Sequence, residues 1–79
     1  MLRQPDAPEP GVLYLARAPW MRQIKVLDLA YNMITDPGGH VLARSPYLEQ
    51  LGWLRLVGNR FSPEMRRMLI QRFDNQIEL

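Results

Sequence analysis

The sequence LDLAYNMITDPGGHVLARSPYL, residues 27–48, is followed at residues 54–69 by LRLVGNRFSPEMRRML, which has the same spacing of leucine and asparagine. Three pairs of identical residues lie 27 positions apart in these stretches: Leu27 and Leu54, Leu29 and Leu56, and Asn32 and Asn59. A fixed spacing of this kind indicates an internal repeat, and a repeat of this length predicts a stack of similar structural units.

The same spacing extends toward both ends of the chain. Residues 10–21, PGVLYLARAPWM, align with residues 37–48, PGGHVLARSPYL, at six identical positions. The following unit, EMRRMLIQRF at residues 64–73, keeps one identity and the apolar character. The repeat therefore covers nearly the whole chain, from residue 10 to about residue 73.

Each unit reads L-x-x-L-x-L-x-x-N-x-φ, where φ is apolar. The positions are Ile24, Leu27, Leu29, Asn32 and Ile34, and then Leu51, Leu54, Leu56, Asn59 and Phe61. This pattern resembles the leucine-rich repeat. The length of the unit and its helical second half are similar to the ribonuclease-inhibitor subtype, and the LARSPYL segment is similar to bacterial members. The resemblance implies an α/β solenoid: a short right-handed arc with parallel strands on the concave face, helices on the convex face, and an asparagine ladder along the bends.

The residues themselves support alternating strands and helices. Leu27 and Leu29 are two positions apart, so on a strand they point to the same side, and the residues between them point to the other. Thr35 or Asp36 can cap a helix that begins at Pro37, and Ser62 can cap one that begins at Pro63. The two glycines of DPGGH, residues 36–40, are expected to permit a close approach of strand and helix.

The repeat also divides the chain. We expect a flexible tail at residues 1–9 and a leucine-rich-repeat segment of about 2.5 repeats at residues 10–79. The segment consists of a leading helix (10–18), one repeat (21–47), a second repeat (48–73) and a C-terminal cap (74–79). Ile77 and Leu79 are two positions apart, so the cap region is also compatible with a further strand. So short an array leaves sheet edges exposed, which predicts self-association.

Composition excludes several classes of function. The chain has 79 residues, no cysteine and a net charge of +2, so it can form neither disulfides nor thiolate metal sites. It shows no signal-peptide h-region and no apolar run long enough to span a membrane, which favours a cytoplasmic protein. His40 is the only histidine and is expected to face solvent on a helix. No cofactor, metal site or catalytic group is predicted, and we expect a protein that is not an enzyme.

The candidate binding site is the strand face opposite the leucines. Its predicted residues are Val26, Asp28, Tyr31, Trp53 and Arg55. An exposed tryptophan beside an arginine is typical of a binding hot spot, although packing of Trp53 on a neighbour is an alternative. Asp28 and Arg55 occupy equivalent positions in adjacent repeats, so pairing between them across the strands is favoured over contact with a ligand.

The leading functional hypothesis is a protein-interaction module that binds a partner through the concave strand face. The alternative is an assembly fragment that self-associates through exposed sheet edges or stacks on a longer repeat array. A weaker alternative is nucleic-acid binding through the basic helix face formed by Arg66, Arg67 and Arg72.

Overall fold

The computed structural model describes residues 9–79 and contains three α-helices and one parallel sheet of three strands. The helices are α1 (Pro10–Ala16), α2 (Asp36–Arg44) and α3 (Pro63–Phe73), and the strands are β1 (Val26–Asp28), β2 (Trp53–Arg55) and β3 (Ile77–Glu78). Two 3₁₀ turns lie at Pro19–Gln23 and Asp74–Gln76. The predicted α/β class with a parallel sheet is confirmed.

The pairing of β1 with β2 follows the spacing seen in the sequence. The strands are parallel neighbours, with Val26 level with Trp53, Leu27 with Leu54, and Asp28 with Arg55. Every pair joins equivalent positions of successive units, so the sequence predicted both the neighbours and their register. Parallel strands need a crossover connection, and α2 with its flanking loops provides it.

The core lies between the sheet and the layer of helices. Its fully buried side chains are Met21, Ile34, Leu42, Leu48, Leu54, Leu56, Met65 and Leu69. Leu54 and Leu56 are buried because β2 is the central strand. Leu27 and Leu29, at the β1 edge, are only half-buried. On α3, Met65, Leu69 and Phe73 face the core, as their spacing predicts.

The N-termini of α2 and α3 are held partly by carboxylates from preceding segments. The Ser62 hydroxyl accepts a bond from the Met65 backbone N–H, so the predicted cap of α3 is confirmed. The Thr35 hydroxyl, however, donates to the Glu9 carboxylate instead of capping α2. Asp36 likewise accepts from the Ser62 backbone N–H at 2.8 Å. Glu9 was expected in the flexible tail, yet it is part of this contact; the rest of that tail, residues 1–8, lies outside the described residues.

The C-terminal ends of the helices differ from the predictions in two ways. α1 ends at Ala16, two residues earlier than predicted, and Ala18 before Pro19 is extended. Arg72, predicted to face solvent with Arg66 and Arg67, instead donates to the carbonyl oxygens of Leu42 and Ser45. Burial of the Arg72 guanidinium lowers its pKa from the ordinary value. Carbonyl oxygens at the C-terminal end of a helix carry partial negative charge and attract a cation, which explains why the Arg72 side chain points toward α2.

The two motif asparagines have unequal roles. The Asn59 side chain donates to the carbonyls of Leu29 and Leu56 and accepts from the N–H groups of Asn32 and Ile34. It therefore joins the turn after β1 to the turn after β2. The Asn32 side chain donates to Ala30 in its own turn, because among residues 9–79 no strand lies beyond β1.

The C-terminal segment, expected as a cap, forms the third strand. β3 pairs in parallel with β2, with Leu54 level with Ile77 and Arg55 with Glu78. The step along the chain from Leu54 to Ile77 is shorter than the step from Leu27 to Leu54, so β3 departs from the spacing of the repeat. Residues 45–52 connect α2 to β2, whereas only residues 74–76 connect α3 to β3, and this shorter connection accounts for the difference.

The glycines of DPGGH permit close packing, although not of strand against helix as predicted. A Cβ atom on Gly38 would lie 2.6 Å from Cγ2 of Ile34 and would also contact the Glu9 side chain. A Cβ atom on Gly39 would lie 2.7 Å from Cγ of Met65. Glycine is therefore needed at both positions, because neighbouring side chains occupy the space that a Cβ atom would fill at the start of α2.

Candidate functional site

The exposed face of the sheet carries all five predicted site residues. Val26, Asp28 and Trp53 are exposed and Arg55 is half-buried, while Leu54, in the middle of β2, is fully buried. This alternation follows from the pleat of the strands, which sends successive side chains to opposite sides. We call this surface the sheet face.

One row of the sheet face is apolar. Val26 and Trp53 are level with each other on β1 and β2, and they are 63% and 37% exposed. Most of the Trp53 surface is thus already in contact with the protein, and its remaining ring surface is presented to solvent. A large aromatic side chain held in this way loses little conformational freedom when a partner covers it.

The next row is ionic and crosses all three strands. Arg55 lies between two carboxylates, with Nη1 3.4 Å from Oδ2 of Asp28 and Nε 3.5 Å from Oε2 of Glu78. The predicted pairing of Asp28 with Arg55 is confirmed. Exposed ion pairs contribute little to stability. Their main effect is to fix the direction of Arg55 and to leave one more negative than positive charge in the row.

Tyr31 covers the end of β2 beyond the ionic row. Its ring lies over Gly58, where a Cβ atom would collide with the ring, and Gly58 has a φ of 80° that disfavours other residues. The Arg55 guanidinium lies 5.9 Å from the Tyr31 ring centroid, within the range of a cation–π contact. Tyr31 itself has a φ of 59°, and its backbone N–H donates to Val57. The turn after β1 therefore places this ring at a defined position.

Two residues of the sheet face were not predicted from the sequence. Glu78 was assigned to the cap because it does not keep the spacing of the repeat. The alternation of Ile77, Glu78 and Leu79 matches that of Leu54, Arg55 and Leu56, and this similarity was the available signal. Gly58 carries no motif of its own, and its role depends on the position of the Tyr31 ring.

The opposite side of the molecule differs in charge. The exposed arginines of the helices and their termini are Arg17, Arg44, Arg66 and Arg67. Arg72 does not join them because it is hydrogen-bonded to the end of α2. The predicted basic face of α3 is therefore reduced to two arginines, which weakens its case as a phosphate-binding surface.

The remaining groups considered from the sequence lie away from the sheet face. His40 is exposed on α2, as predicted. Within residues 9–79, no three histidine or acidic side chains are grouped so that they could hold a metal ion. None of the helices in this part of the chain has the length and apolar character needed to cross a bilayer.

Comparisons of the chain with known protein families, with curated proteins and with solved structures found no match. The geometry of the sheet face is therefore the basis for a functional proposal.

Proposed function

We propose that this chain is a short right-handed leucine-rich-repeat arc that binds another protein through its sheet face. The observation that supports the proposal most strongly is the parallel register of β1 and β2. This register places Val26 level with Trp53 and Asp28 level with Arg55 on one exposed surface, and Tyr31 follows in the turn after β1.

The proposed anchor is Trp53, flanked by Val26 on one side and by Arg55 two positions later. Binding hot spots are enriched in tryptophan, tyrosine and arginine, and here one of each lies on the same surface. Tyr31 and Arg55 contact each other, so the aromatic and ionic parts of the surface are continuous.

The ionic row defines the chemistry of the proposed partner. Asp28 and Glu78 share a single guanidinium, and both carboxylates remain exposed to solvent, with side-chain exposures of 57% and 42%. A partner that places an apolar side chain on Trp53 and a lysine or arginine near Asp28 or Glu78 would match both rows. Because complementary charge mainly increases the association rate, we expect this interaction to weaken in high salt.

The proposal is tested by comparing the native chain with Trp53→Ala as immobilised baits, followed by direct binding measurements with the purified partner. We expect Trp53→Ala to remain folded and to lose about 2 kcal/mol of binding free energy, roughly a thirtyfold change in Kd. The matched control is Ile70→Ala on α3, since Ile70 is also exposed but lies outside the sheet face.

Two results would contradict the proposal. If no protein distinguishes the native bait from Trp53→Ala, the sheet face is not the binding surface. If Trp53→Ala unfolds in a thermal melt, Trp53 is needed for the fold and cannot be treated as a free anchor.

A further inference from the structure

A basic and aromatic surface is formed by the last turn of α1 and by the segment that connects α1 to β1. Its side chains fall within residues 14–25, a stretch with three cations and no acidic residue. In residues 9–79 none of these cations forms an ion pair, because both ion pairs of this part of the chain involve Arg55. We call this the basic aromatic surface, and its exposed residues are Tyr14, Arg17, Trp20, Arg22 and Lys25.

The two aromatic rings of this surface are open to a ligand. Tyr14 and Trp20 are 65% and 47% exposed, and their ring centroids lie 6.4 Å apart with the planes tilted by 53°. Together with Arg17 they line an open groove of about 470 Å³. A planar group that enters this groove can stack on an aromatic face beside a positive charge.

The cations that follow the groove are held by the next unit of the repeat. The Arg22 guanidinium lies 4.8 Å from the centroid of the Tyr47 ring, which limits its orientations. The Lys25 carbonyl accepts hydrogen bonds from the N–H groups of Gly52 and Trp53, which fixes the backbone at this point. The positive charges therefore have defined positions along the segment.

Comparison of two successive units shows that the fold does not require this charge. The buried positions of the two connections are filled by Met21 and Leu48, each 1% exposed. Both connections also end with the same backbone bond, from Ile24 to Met21 and from Leu51 to Leu48. Residues 41–52, which are equivalent to residues 14–25, nevertheless contain one arginine and one glutamate, so their net charge is zero and not +3.

The positions that differ are those of the basic aromatic surface. In the second unit, glutamate stands at the position of Arg22, glycine at that of Lys25 and valine at that of Tyr14. The tyrosine equivalent to Trp20 is half-buried beneath Arg22. Since either set of side chains fits the same backbone, the cations and exposed rings of the first unit are free to serve binding.

The charge and the rings together define the chemistry of the ligand. Three unpaired cations attract a polyanion, and exposed aromatic rings beside them provide faces on which unpaired bases stack. Single-stranded nucleic acid offers both groups, whereas a duplex keeps its bases inside the stack. A membrane fits less well, because Leu13 and Leu15 are half-buried and Val12 is buried, so few aliphatic groups are left to enter a bilayer.

We propose that the basic aromatic surface binds single-stranded nucleic acid. Arg17, Arg22 and Lys25 contact the phosphates, and the rings of Tyr14 and Trp20 stack on bases. These contacts use groups that all nucleotides share, so the binding is expected to depend little on base sequence. The proposal does not depend on the binding function of the sheet face.

The test is fluorescence anisotropy of labelled oligo(dT) and oligo(rU), each about 12 nucleotides long, titrated with the full chain at several salt concentrations. We expect a Kd on the order of 10⁻⁵ M in low salt. Because three phosphate contacts are proposed, the logarithm of the binding constant should fall with the logarithm of salt concentration with a slope of about −2. Trp53→Ala on the sheet face should leave this Kd unchanged.

Two double variants with the same change in net charge provide the matched comparison. Arg22→Gln with Lys25→Gln should weaken binding at least about tenfold and reduce the slope to about −0.7, since one of three phosphate contacts remains. Arg66→Gln with Arg67→Gln removes the same charge from α3 and should leave the slope near that of the native chain. All four side chains are exposed, so thermal unfolding by circular dichroism should be similar for both variants.

A second measurement reports on stacking directly and leaves the basic aromatic surface unchanged. The chain has two tryptophans, so Trp53→Phe makes Trp20 the only indole fluorophore, and its emission should be quenched as either oligomer binds. Absence of binding in low salt overturns the proposal, as does equal weakening by the two double variants. A duplex bound as tightly as the single strands overturns it, and so does Trp20 emission that responds to phosphatidylserine vesicles but not to the oligomers.

Discussion

At the scale of single residues, Gly11 and Gly38 show how identical residues at equivalent positions of two units acquire different roles. Gly38 is enclosed by Ile34 and Glu9, whereas a Cβ atom at Gly11 would meet no atom of residues 9–79 within 4 Å. Both lie in the first turn of a helix, where glycine is a poor helix former compared with alanine. The free-energy cost of adding a methyl group therefore depends on the residues that pack beside each glycine and not on its position in the repeat.

We expect Gly11→Ala and Gly38→Ala to change stability in opposite directions. Gly11→Ala should raise the free energy of unfolding by about 0.5–1 kcal/mol, because it restricts the unfolded chain without a collision. Gly38→Ala should lower it by about 1–3 kcal/mol, because the new methyl group is forced against Ile34. Urea unfolding of both variants at low protein concentration measures the difference. Changes of the same sign would contradict the packing described for α2.

For the residues of the repeat motif, the sequence predicted the position in the fold but not the exposure to solvent. Leu27, Leu54 and Asn59 were placed correctly because each depends on its own unit and the adjacent one. Which residue lies at an edge depends instead on what is stacked beyond it, and this is why Asn32 has fewer partners than Asn59. Arg72 was misplaced for a related reason, since its position on α3 does not reveal that the C-terminal carbonyls of α2 lie within its reach.

At the scale of secondary-structure elements, the start of α3 depends on a carboxylate that belongs to α2. Hydrogen bonds from the Ser62 hydroxyl and then from the Ser62 backbone N–H hold the pKa of Asp36 below its ordinary value of 3.8. The charged form of Asp36 is therefore favoured in the folded state. The position of Ser62 before Pro63 predicted the cap of α3. Its contact with Asp36 could not be predicted, because it depends on how α2 and α3 pack against each other.

We expect Asp36 to make the stability of the protein depend on pH in the acidic range. Since its pKa is lower in the folded than in the unfolded state, its contribution is present above pH 3.8 and is lost as the pH falls through the folded-state pKa. Asp36→Asn should therefore reduce the free energy of unfolding at neutral pH by about 0.5 kcal/mol, a value typical of exposed charged groups. Urea unfolding at several pH values should show this difference shrinking below pH 3.8.

A double-mutant cycle with Ser62→Ala provides the control for this prediction. Loss of the hydroxyl removes part of the bonding to Asp36, so the effect of Asp36→Asn should be smaller in the Ser62→Ala background. An effect of Asp36→Asn that is the same at every pH would show that the carboxylate charge is not responsible.

At the scale of the whole molecule, β3 completes a sheet that the repeat alone would leave with two strands. The Leu56 N–H donates to the Glu78 carbonyl at 2.7 Å, and Ile77 and Leu79 pack against the core. The shorter connection after α3 was not predictable from the alignment of the units, because β3 does not keep the register that relates β1 to β2. The spacing of Ile77 and Leu79 was compatible with a strand but did not predict its partner or register.

We expect removal of residues 74–79 to destabilise the protein strongly. The truncation exposes the β2 edge and removes the apolar contacts of two side chains, which should cost about 3 kcal/mol or more. This is a large part of the total stability of a small domain. Urea unfolding of the truncated chain measures the loss, with Ile70→Ser as a control that should change little because Ile70 is exposed. An unchanged unfolding midpoint would mean that β3 is not part of the cooperative fold.

The links from Glu9 to Thr35 and from Asp36 to Ser62 have a consequence for how this chain tolerates change over evolutionary time. Each carboxylate accepts a hydrogen bond from a residue 26 positions later in the chain: Glu9 from the Thr35 hydroxyl, and Asp36 from the Ser62 backbone N–H. A substitution at residue 36 therefore affects the start of the next helix as well as its own segment. We therefore expect substitutions at linked positions of successive segments, such as Glu9 with Thr35 and Asp36 with Ser62, to occur together in related sequences.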